Sequence, residues 1–382
     1  MKKVIFVNIG MMMFRGGGEN FDLNMSKALK ELGYEVEIYS LKPLFAKSRF
    51  DNVASHFDKE YFIKSPWLYP ITQLFHKNKY LKKLRGLRGI PRILGQLIFE
   101  LRVFNELRKR DDEYVVHTCE LPVVAYLVSK YTNNKAYMRL PGPLDNFYDI
   151  FFAKGCSGIV ANGDAYKKTK ALNIVNDKLH FINIGVYEYN QKNIILKEKF
   201  RTSLNIAQDD FIILFVGRLI DIKNIPMLLK GFSLFLKHVS KTKLILVGDG
   251  NKKDNLVELS EDLNILEHTI FTGSLEKYEL ANYYNIADCF ALTSHYDNFP
   301  NVLIEAMSFG IPCIGTNVGG IPDIIEDGKS GYIVDVHDEN MLVEKLLLLH
   351  SENLNIDTIK NYVKDTYSWN KSAIKLKELI NC

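Results

Sequence analysis

The sequence predicts an α/β protein made of two doubly wound domains, one after the other. Extended apolar segments alternate with helical periodicity along the whole chain, and this series starts afresh near Phe211. The 382 residues are also too many for one ordinary domain. With 47% hydrophobic and 25% charged residues, the chain can bury a large core, and it carries no low-complexity tract or internal repeat.

The first domain begins with a strand predicted at residues 3–9. A helix follows at 20–32, where Met25, Ala28, Leu29 and Leu32 recur at helical spacing before Gly33 ends it. Further strands are predicted at 35–41, 114–118, 135–140, 158–161 and 178–184. This alternation indicates a parallel sheet with helices on both faces.

The second domain repeats the pattern with strands predicted at 211–216, 243–247, 269–272, 289–293, 312–316 and 332–334. Periodicity is lost over residues 187–191, so we place the domains at 1–188 and 189–364. Ligands of open α/β sheets bind at the carboxyl ends of the strands. Two Rossmann-like domains are therefore expected to face each other across a ligand-binding cleft.

A helix predicted to start near Pro300 carries the first candidate site. Proline suits a first helical turn because it has no N–H to satisfy, and Gly310 ends the helix. Phe299 and Pro300 line this helix start. The backbone amides of Asn301, Val302 and Leu303, together with the helix dipole, predict a site for a diphosphate.

Two acidic residues flank this helix start. Glu305, one turn into the helix, can accept two hydrogen bonds from a ribose diol, and Asp297, on the preceding loop, can reach a sugar hydroxyl. Solvated carboxylates near a helix start are the alternative interpretation.

A second pair of charges follows the strand at 211–216. Arg218 and Lys223 leave the strand end on one loop, where two cations can neutralise a diphosphate leaving group without a metal ion. An exposed loop pair without function is the alternative.

A glycine loop separates the first strand from the first helix. Gly16, Gly17 and Gly18 allow the backbone to approach a ligand closely. The dinucleotide fingerprint G-x-G-x-x-G is not present, because Glu19 and Asn20 follow the third glycine. The similar run at residues 247–250 also lacks the third glycine, and we interpret it as a structural turn.

Taken together, these motifs resemble glycosyltransferase family 4, a retaining family with the GT-B fold, over nearly the whole chain. Asp297 to Glu305 resembles its E-x7-E motif, Arg218 and Lys223 resemble its diphosphate-binding cations, and residues 16–19 resemble its glycine loop. Residues 318–322 and 328–332 also follow the family pattern. Residues 367–370 resemble the start of a last helix, so 365–382 is expected to pack back on the first domain.

The resemblance implies transfer of a sugar with retention of configuration, without a metal ion or cofactor. Asp297 stands where the family has a longer glutamate, so its contact to the sugar is expected to differ. Cys119 replaces the second histidine of an H-x-H stretch that begins at His117. His117 is a candidate acceptor contact or base; a buried histidine that the backbone satisfies is the alternative.

A basic stretch in the first domain suggests a partner. Residues 66–110 contain eleven Lys or Arg against two Glu, although the whole chain has a net charge of only +4. Aromatic residues, including Trp67, lie among these cations, which predicts binding to an anionic membrane surface rather than to nucleic acid. Residues 97, 101, 104 and 107 form one helical stripe behind it, and a solvated basic face is the alternative.

The sequence therefore predicts a metal-independent hexosyltransferase in surface polysaccharide, lipopolysaccharide or glycolipid synthesis. Its donor is expected to be a nucleotide-sugar, with UDP favoured, and its acceptor a lipid-linked saccharide. Five scattered cysteines and no apolar run long enough to cross a bilayer favour a cytoplasmic, peripheral protein. A nucleotide-sugar epimerase and a non-catalytic sugar-nucleotide-binding scaffold remain alternatives.

Overall fold

The computed structural model describes residues 2–9, 17–42, 56–64, 89–186, 195–352 and 354–381. It divides the chain into two compact units, one formed by residues 1–185 with 369–382 and the other by residues 186–368. The predicted domain boundaries lie within four residues of these divisions. Gly16 and the part of the basic stretch between residues 65 and 88 lie outside the described residues.

The first unit is built on a parallel sheet of seven strands in the order β3-β2-β1-β4-β5-β6-β7. Every neighbouring pair is parallel, with β1 paired to both β2 and β4. The strands are β1 Lys3–Val7, β2 Glu35–Lys42, β3 Lys59–Lys64, β4 Val115–Cys119, β5 Lys135–Leu140, β6 Gly158–Ala161 and β7 Leu179–Phe181.

Helices between the strands cover this sheet. They are α1 Gly17–Glu31, α2 Gly89–Leu107, α3 Pro122–Tyr131, α4 Phe147–Ala153 and α5 Gly163–Ala171, with a short 3-10 turn at Asn176–Lys178. The predicted apolar stripe of α2, residues 97, 101, 104 and 107, is wrong in part. Phe99, Val103 and Leu107 form its buried face, whereas Leu101 is 46% exposed.

The second unit contains a parallel sheet of six strands in the order β10-β9-β8-β11-β12-β13. Its strands are β8 Phe211–Val216, β9 Thr242–Val247, β10 Thr269–Gly273, β11 Cys289–Leu292, β12 Cys313–Thr316 and β13 Gly331–Val334. Its helices are α6 Lys197–Ser203, α7 Ile225–Leu236, α8 Lys253–Asp262, α9 Lys277–Ile286, α10 Asn301–Ser308, α11 Ile321–Ile324, α12 Glu339–Ser351 and α13 Ile356–Thr366, with 3-10 turns at Asp221–Lys223 and Leu266–His268.

The final helix, α14 (Trp369–Asn381), belongs to the first unit. Trp369 packs edge-on against Phe21 of α1, and the Tyr137 hydroxyl donates to the Leu379 carbonyl at 2.8 Å. A methyl group added at Gly185 would stand 2.2 Å from the Trp369 backbone nitrogen. Only glycine therefore permits this close approach.

The strand predictions agree with the structure to within a few residues, with one omission. Edge strand β3 was not predicted, because KEYFIK lacks a continuous apolar run and its residues are exposed or half-buried. Among the residues that the structure describes, no helix is both long and apolar enough to cross a membrane.

Candidate functional site

Two loops at the carboxyl ends of adjacent strands are joined in the second unit. The loop after β8 carries Lys223, and the loop after β11 carries Asp297. The Thr293 hydroxyl donates to the Asn224 carbonyl at 3.0 Å, and the His295 amide donates to the Ile222 carbonyl at 2.8 Å. These bonds place the Lys223 ammonium 2.5 Å from the Asp297 carboxylate. The structure thus brings together two of the predicted site residues.

A pair of glycines supports the backbone of the Asp297 loop. The Gly320 amide donates to the Asp297 carbonyl at 2.9 Å. Methyl groups added at Gly319 and Gly320 would stand 1.9 Å and 2.0 Å from the carbonyl oxygens of Asp297 and Asn298. Gly319 also has φ +55, a left-handed conformation that other residues rarely adopt. This Gly-Gly pair therefore fixes the position from which the Asp297 side chain departs.

Helix α10 differs by one residue from its prediction. It starts at Asn301, and Pro300 is the buried residue that precedes it. The Leu303 amide donates to the Pro300 carbonyl at 3.2 Å and Leu303 is fully buried, so the prediction of a free Leu303 amide is corrected. The amides of Asn301 and Val302 remain as first-turn donors without an acceptor inside the helix.

Glu305 has a partner that the sequence did not suggest. The Tyr284 hydroxyl, from α9, donates to the Glu305 carboxylate at 3.1 Å. Tyr284 is buried, and its ring stacks on Phe309 at 5.4 Å between centroids. One Glu305 carboxylate oxygen is therefore oriented by a fixed tyrosine. Phe299, at the start of the same segment, packs against Tyr367.

Arg218 is exposed on the β8 loop, where its backbone is held by the turn at residues 248–250. The Leu219 amide donates to the Asp249 carbonyl at 2.9 Å. Methyl groups at Gly248 and Gly250 would stand 1.9 Å and 2.2 Å from the carbonyl oxygens of Gly217 and Leu219. The turn at 247–250 thus has a structural role: it positions the loop that carries Arg218.

The predicted glycine loop is only partly a loop. Gly17 and Gly18 form the first turn of α1, while Gly16 lies outside the described residues. A methyl group at Gly18 would stand 3.1 Å from both an Arg139 guanidinium nitrogen and the Cys119 sulfur. The helix start therefore lies directly against the ends of β4 and β5.

His117 is buried in the middle of β4, with 1% of its surface exposed. Its ring stacks on Phe21 at 5.8 Å, and neither ring nitrogen has a hydrogen-bond partner among the described residues. The alternative of a histidine satisfied by the backbone is therefore not what the structure shows. Burial, assisted by the Arg139 guanidinium, lowers the pKa of His117 to about 3, so the ring is neutral at pH 7.

Beside His117 lies a polar cluster of the buried Asn8, Asp22 and Arg139 with the half-buried Cys119. Asn8 donates to the Asp22 carboxylate at 2.6 Å, and Arg139 donates to the Cys119 sulfur at 2.8 Å. Arg139 Nε and His117 Nδ1 each lie 3.9 Å from Asp22 Oδ1. Burial raises the pKa of Asp22 to about 6, against the opposing effects of Arg139 and Asn8. These polar groups at the carboxyl edge of the first sheet were not predicted, apart from His117 and Cys119.

No group of three or more His, Cys, Asp or Glu side chains in the described part of the chain is arranged to hold a metal ion. The candidate donor site consists of cations, backbone amides and a hydrogen-bonded carboxylate. All of its residues lie on loops and helix starts that follow β8 and β11 in the second unit.

Known proteins match the part of the chain that carries these residues. The family described as "Glycosyl transferases group 1" matches residues 197–368, which contain all of these donor-site residues. N-acetyl-alpha-D-glucosaminyl L-malate synthase of Bacillus anthracis is 30% identical over 44% of this chain and 45% of its own length. The chain thus spans about half the length of that relative.

Two further proteins match over nearly the whole chain. Alpha-monoglucosyldiacylglycerol synthase of Acholeplasma laidlawii is 25% identical over 91% of this chain and 89% of its own. The crystal structure of HepE from Anabaena in complex with UDP superposes with a TM-score of 0.77, covers 99% of both chains and is 16% identical. Residues 197–368 thus match the glycosyl transferases group 1 family, and the chain has the GT-B fold.

Proposed function

We propose that the protein is a retaining, metal-independent hexosyltransferase that uses a nucleotide-sugar donor, with UDP as the nucleotide. The observation that carries the proposal is the joined pair of loops that sets Lys223 on Asp297, next to a helix start with two available amides. A protein of the same fold supports the choice of UDP, since HepE was crystallised with UDP and with UDP-glucose.

We assign each donor-site residue a role. Arg218, Lys223 and the amides of Asn301 and Val302 stabilise the diphosphate as its negative charge increases. Glu305, oriented by Tyr284, accepts hydrogen bonds from the ribose diol.

Asp297 contacts the transferred sugar. Its ion pair with Lys223 holds the lysine at the site before the donor arrives, and the phosphate then competes for the same ammonium group.

The proposed reaction exchanges one bond at the anomeric carbon. The acceptor oxygen bonds to that carbon on the face from which the diphosphate leaves. The bond between the anomeric carbon and the phosphate oxygen breaks. The acceptor proton passes to the leaving diphosphate oxygen, so no protein base is required. The role of His117 as an acceptor contact stays a prediction. Because its pKa is low, His117 would be neutral in that role.

The acceptor is proposed to be a lipid-linked saccharide, and the protein to act as a peripheral, cytoplasmic enzyme at an anionic membrane. The basic stretch at residues 66–110 supports this, as does the name of the relative that makes a glucosyl-diacylglycerol. We place acceptor binding in the first unit, at the carboxyl edge of its sheet.

A transfer assay with UDP-, GDP- and ADP-sugars, combined with product analysis, tests the proposal. Glu305→Ala and Lys223→Ala are each expected to lower kcat/KM, because each removes about 2 to 4 kcal/mol of transition-state stabilisation. Lys241→Ala is the matched control. Lys241 lies just before β9 and pairs with the exposed Asp209 just before β8, at the amino edge of the sheet.

Near-normal turnover by both site variants would contradict the donor-site assignment. Isomerisation of free donor, without transfer to any acceptor, would identify an epimerase instead.

A further inference from the structure

Helix α4 presents aromatic side chains to solvent instead of burying them. Phe147 is 83% exposed, Phe151 is 52% exposed and Tyr148 is 41% exposed. Only Ala153 of this helix is buried. A soluble protein rarely leaves neighbouring phenylalanines uncovered, and such patches usually mark interaction sites.

The exposed rings belong to one continuous aromatic surface, which we define as Tyr126, Phe147, Tyr148, Phe151 and Phe152. Ring centroids within it lie 4.9 to 6.4 Å apart, from Tyr148 against Phe152 to Phe147 against Phe151. Tyr126 of α3 joins the surface through Phe151 and Phe152. The surface is thus held by ring-to-ring packing rather than by isolated side chains.

The aromatic surface has a fixed support. A methyl group at Gly155 would stand 2.2 Å from the Tyr126 ring, so glycine allows that ring to lie flat against the backbone. Asn146 caps α4 by accepting from the Asp149 amide at 2.8 Å. The rings are therefore carried by two helices, four of them by the capped helix α4 and Tyr126 by α3.

Cations border the surface. The Lys130 ammonium donates to the Tyr126 hydroxyl at 2.7 Å and lies over the rings of Tyr126 and Tyr131. Tyr131 is 62% exposed and Lys154 is also exposed. Exposed apolar rings with lysines beside them form the composition that proteins use at the boundary between lipid headgroups and acyl chains.

A second helix contributes apolar side chains at the same edge of the sheet. Ile93 and Leu94 in α2 are 59% and 42% exposed. The Glu100 carboxylate of α2 accepts from the Val124 amide of α3 at 2.9 Å, and Glu100 also acts electrostatically on Tyr148 of α4. These contacts bring the three helices together beside the carboxyl edge of the first sheet. The cationic part of the sequence leads directly into α2 at Gly89.

We propose that the aromatic surface, with Ile93 and Leu94, is the site where the first unit inserts into an anionic lipid bilayer. The inference rests on the proposed function, since it gives the enzyme access to a lipid-linked acceptor. A saccharide partner is disfavoured, because three of the five rings are phenylalanines without a polar group to direct hydroxyls. The lysines that border the rings complement an anionic headgroup layer.

The proposal separates two contributions to membrane binding. Electrostatic attraction by the basic stretch weakens as salt rises, whereas insertion of rings does not. Binding to vesicles of phosphatidylcholine with phosphatidylglycerol is measured by flotation at low and high salt. The wild-type protein is expected to keep a salt-resistant fraction on the vesicles.

The double variant Phe147→Ser with Phe151→Ser is expected to lose that fraction, with affinity at high salt reduced by roughly tenfold or more. Tyr278→Ser is the matched control, because Tyr278 is 65% exposed in the second unit. Thermal melting verifies folding, and Phe147→Ser alone serves if the double variant is unstable.

Vesicle binding by the double variant equal to wild type at high salt would overturn the proposal. So would unchanged vesicle binding combined with loss of a dimer in sedimentation, which would assign the surface to a second copy of the chain. Donor hydrolysis and UDP binding are measured in parallel. If they are normal while vesicle binding is absent, only the membrane inference fails; if UDP does not bind, the proposed function fails.

Discussion

Replacing Gly319 by alanine tests whether the backbone beneath Asp297 determines activity. The added methyl group would lie 1.9 Å from the Asp297 carbonyl oxygen, whereas ordinary van der Waals contacts start at 3.4 Å. The difference, 3.4 − 1.9 = 1.5 Å, is the least distance by which the two must separate. A displacement of about 1 Å in a positioned group can reduce turnover by about 10²-fold. We therefore expect kcat/KM to fall by about 10²-fold, equivalent to about 2.7 kcal/mol.

Gly328 provides the matched control within the same unit. Its φ is +76, so alanine there carries a similar left-handed strain of about 1–2 kcal/mol, but no atom lies within 4 Å of the added methyl group. Gly328→Ala should lower the free energy of unfolding by that amount and leave kcat/KM near normal. Transfer assays measure kcat/KM, and denaturant unfolding measures stability. If Gly328→Ala lowers kcat/KM as much as Gly319→Ala does for the same loss of stability, the reasoning is refuted.

Two further predictions concern buried polar groups. Tyr284→Phe removes the hydroxyl that donates to Glu305 and is expected to weaken UDP binding by about 1 kcal/mol in calorimetry, whereas Tyr283→Phe, a neighbour on α9, should not; equal affinities would contradict the orienting role. Glu100→Gln tests a pH effect, because burial raises the pKa of Glu100 from 4.5 to about 7. Between pH 4.5 and 7, Glu100 is protonated in the native state but ionised in the unfolded state. Its contribution to the free energy of unfolding is therefore complete below about pH 4.5 and is lost as pH rises through 7. Relative to Glu100→Gln, the wild type should therefore lose on the order of 3 kcal/mol between pH 4 and 8 in unfolding experiments, and a constant difference would refute the assignment.

Central strands and their following loops were predictable from the sequence because their physical signals are local. β8 is a continuous apolar run, and Arg218 and Lys223 follow it directly in the chain. Since ligands bind at the carboxyl ends of parallel strands, the loops after β8 and β11 were expected at the ligand-binding edge. The structure confirms two Rossmann-like units, with the predicted cations on the expected loop.

Contacts between distant segments were not predictable, because no periodicity reports them. Tyr284 is separated from Glu305 by 21 residues, and nothing in the α9 sequence distinguishes it from the adjacent Tyr283. Edge strand β3 lacks the apolar run that burial on both faces imposes on a central strand. Asp22 and Arg139 come from α1 and β5, and only the folded sheet brings their charges together.

The position of α14 affects how the protein is made. This helix is translated after the entire second unit, yet its contacts with Phe21 and Tyr137 belong to the first. During synthesis the first sheet therefore lacks one covering helix until the second unit has left the ribosome. A protein cut after residue 185 should accordingly be prone to aggregate. Residues 186–368 form one continuous unit, which we expect to fold without the rest of the chain.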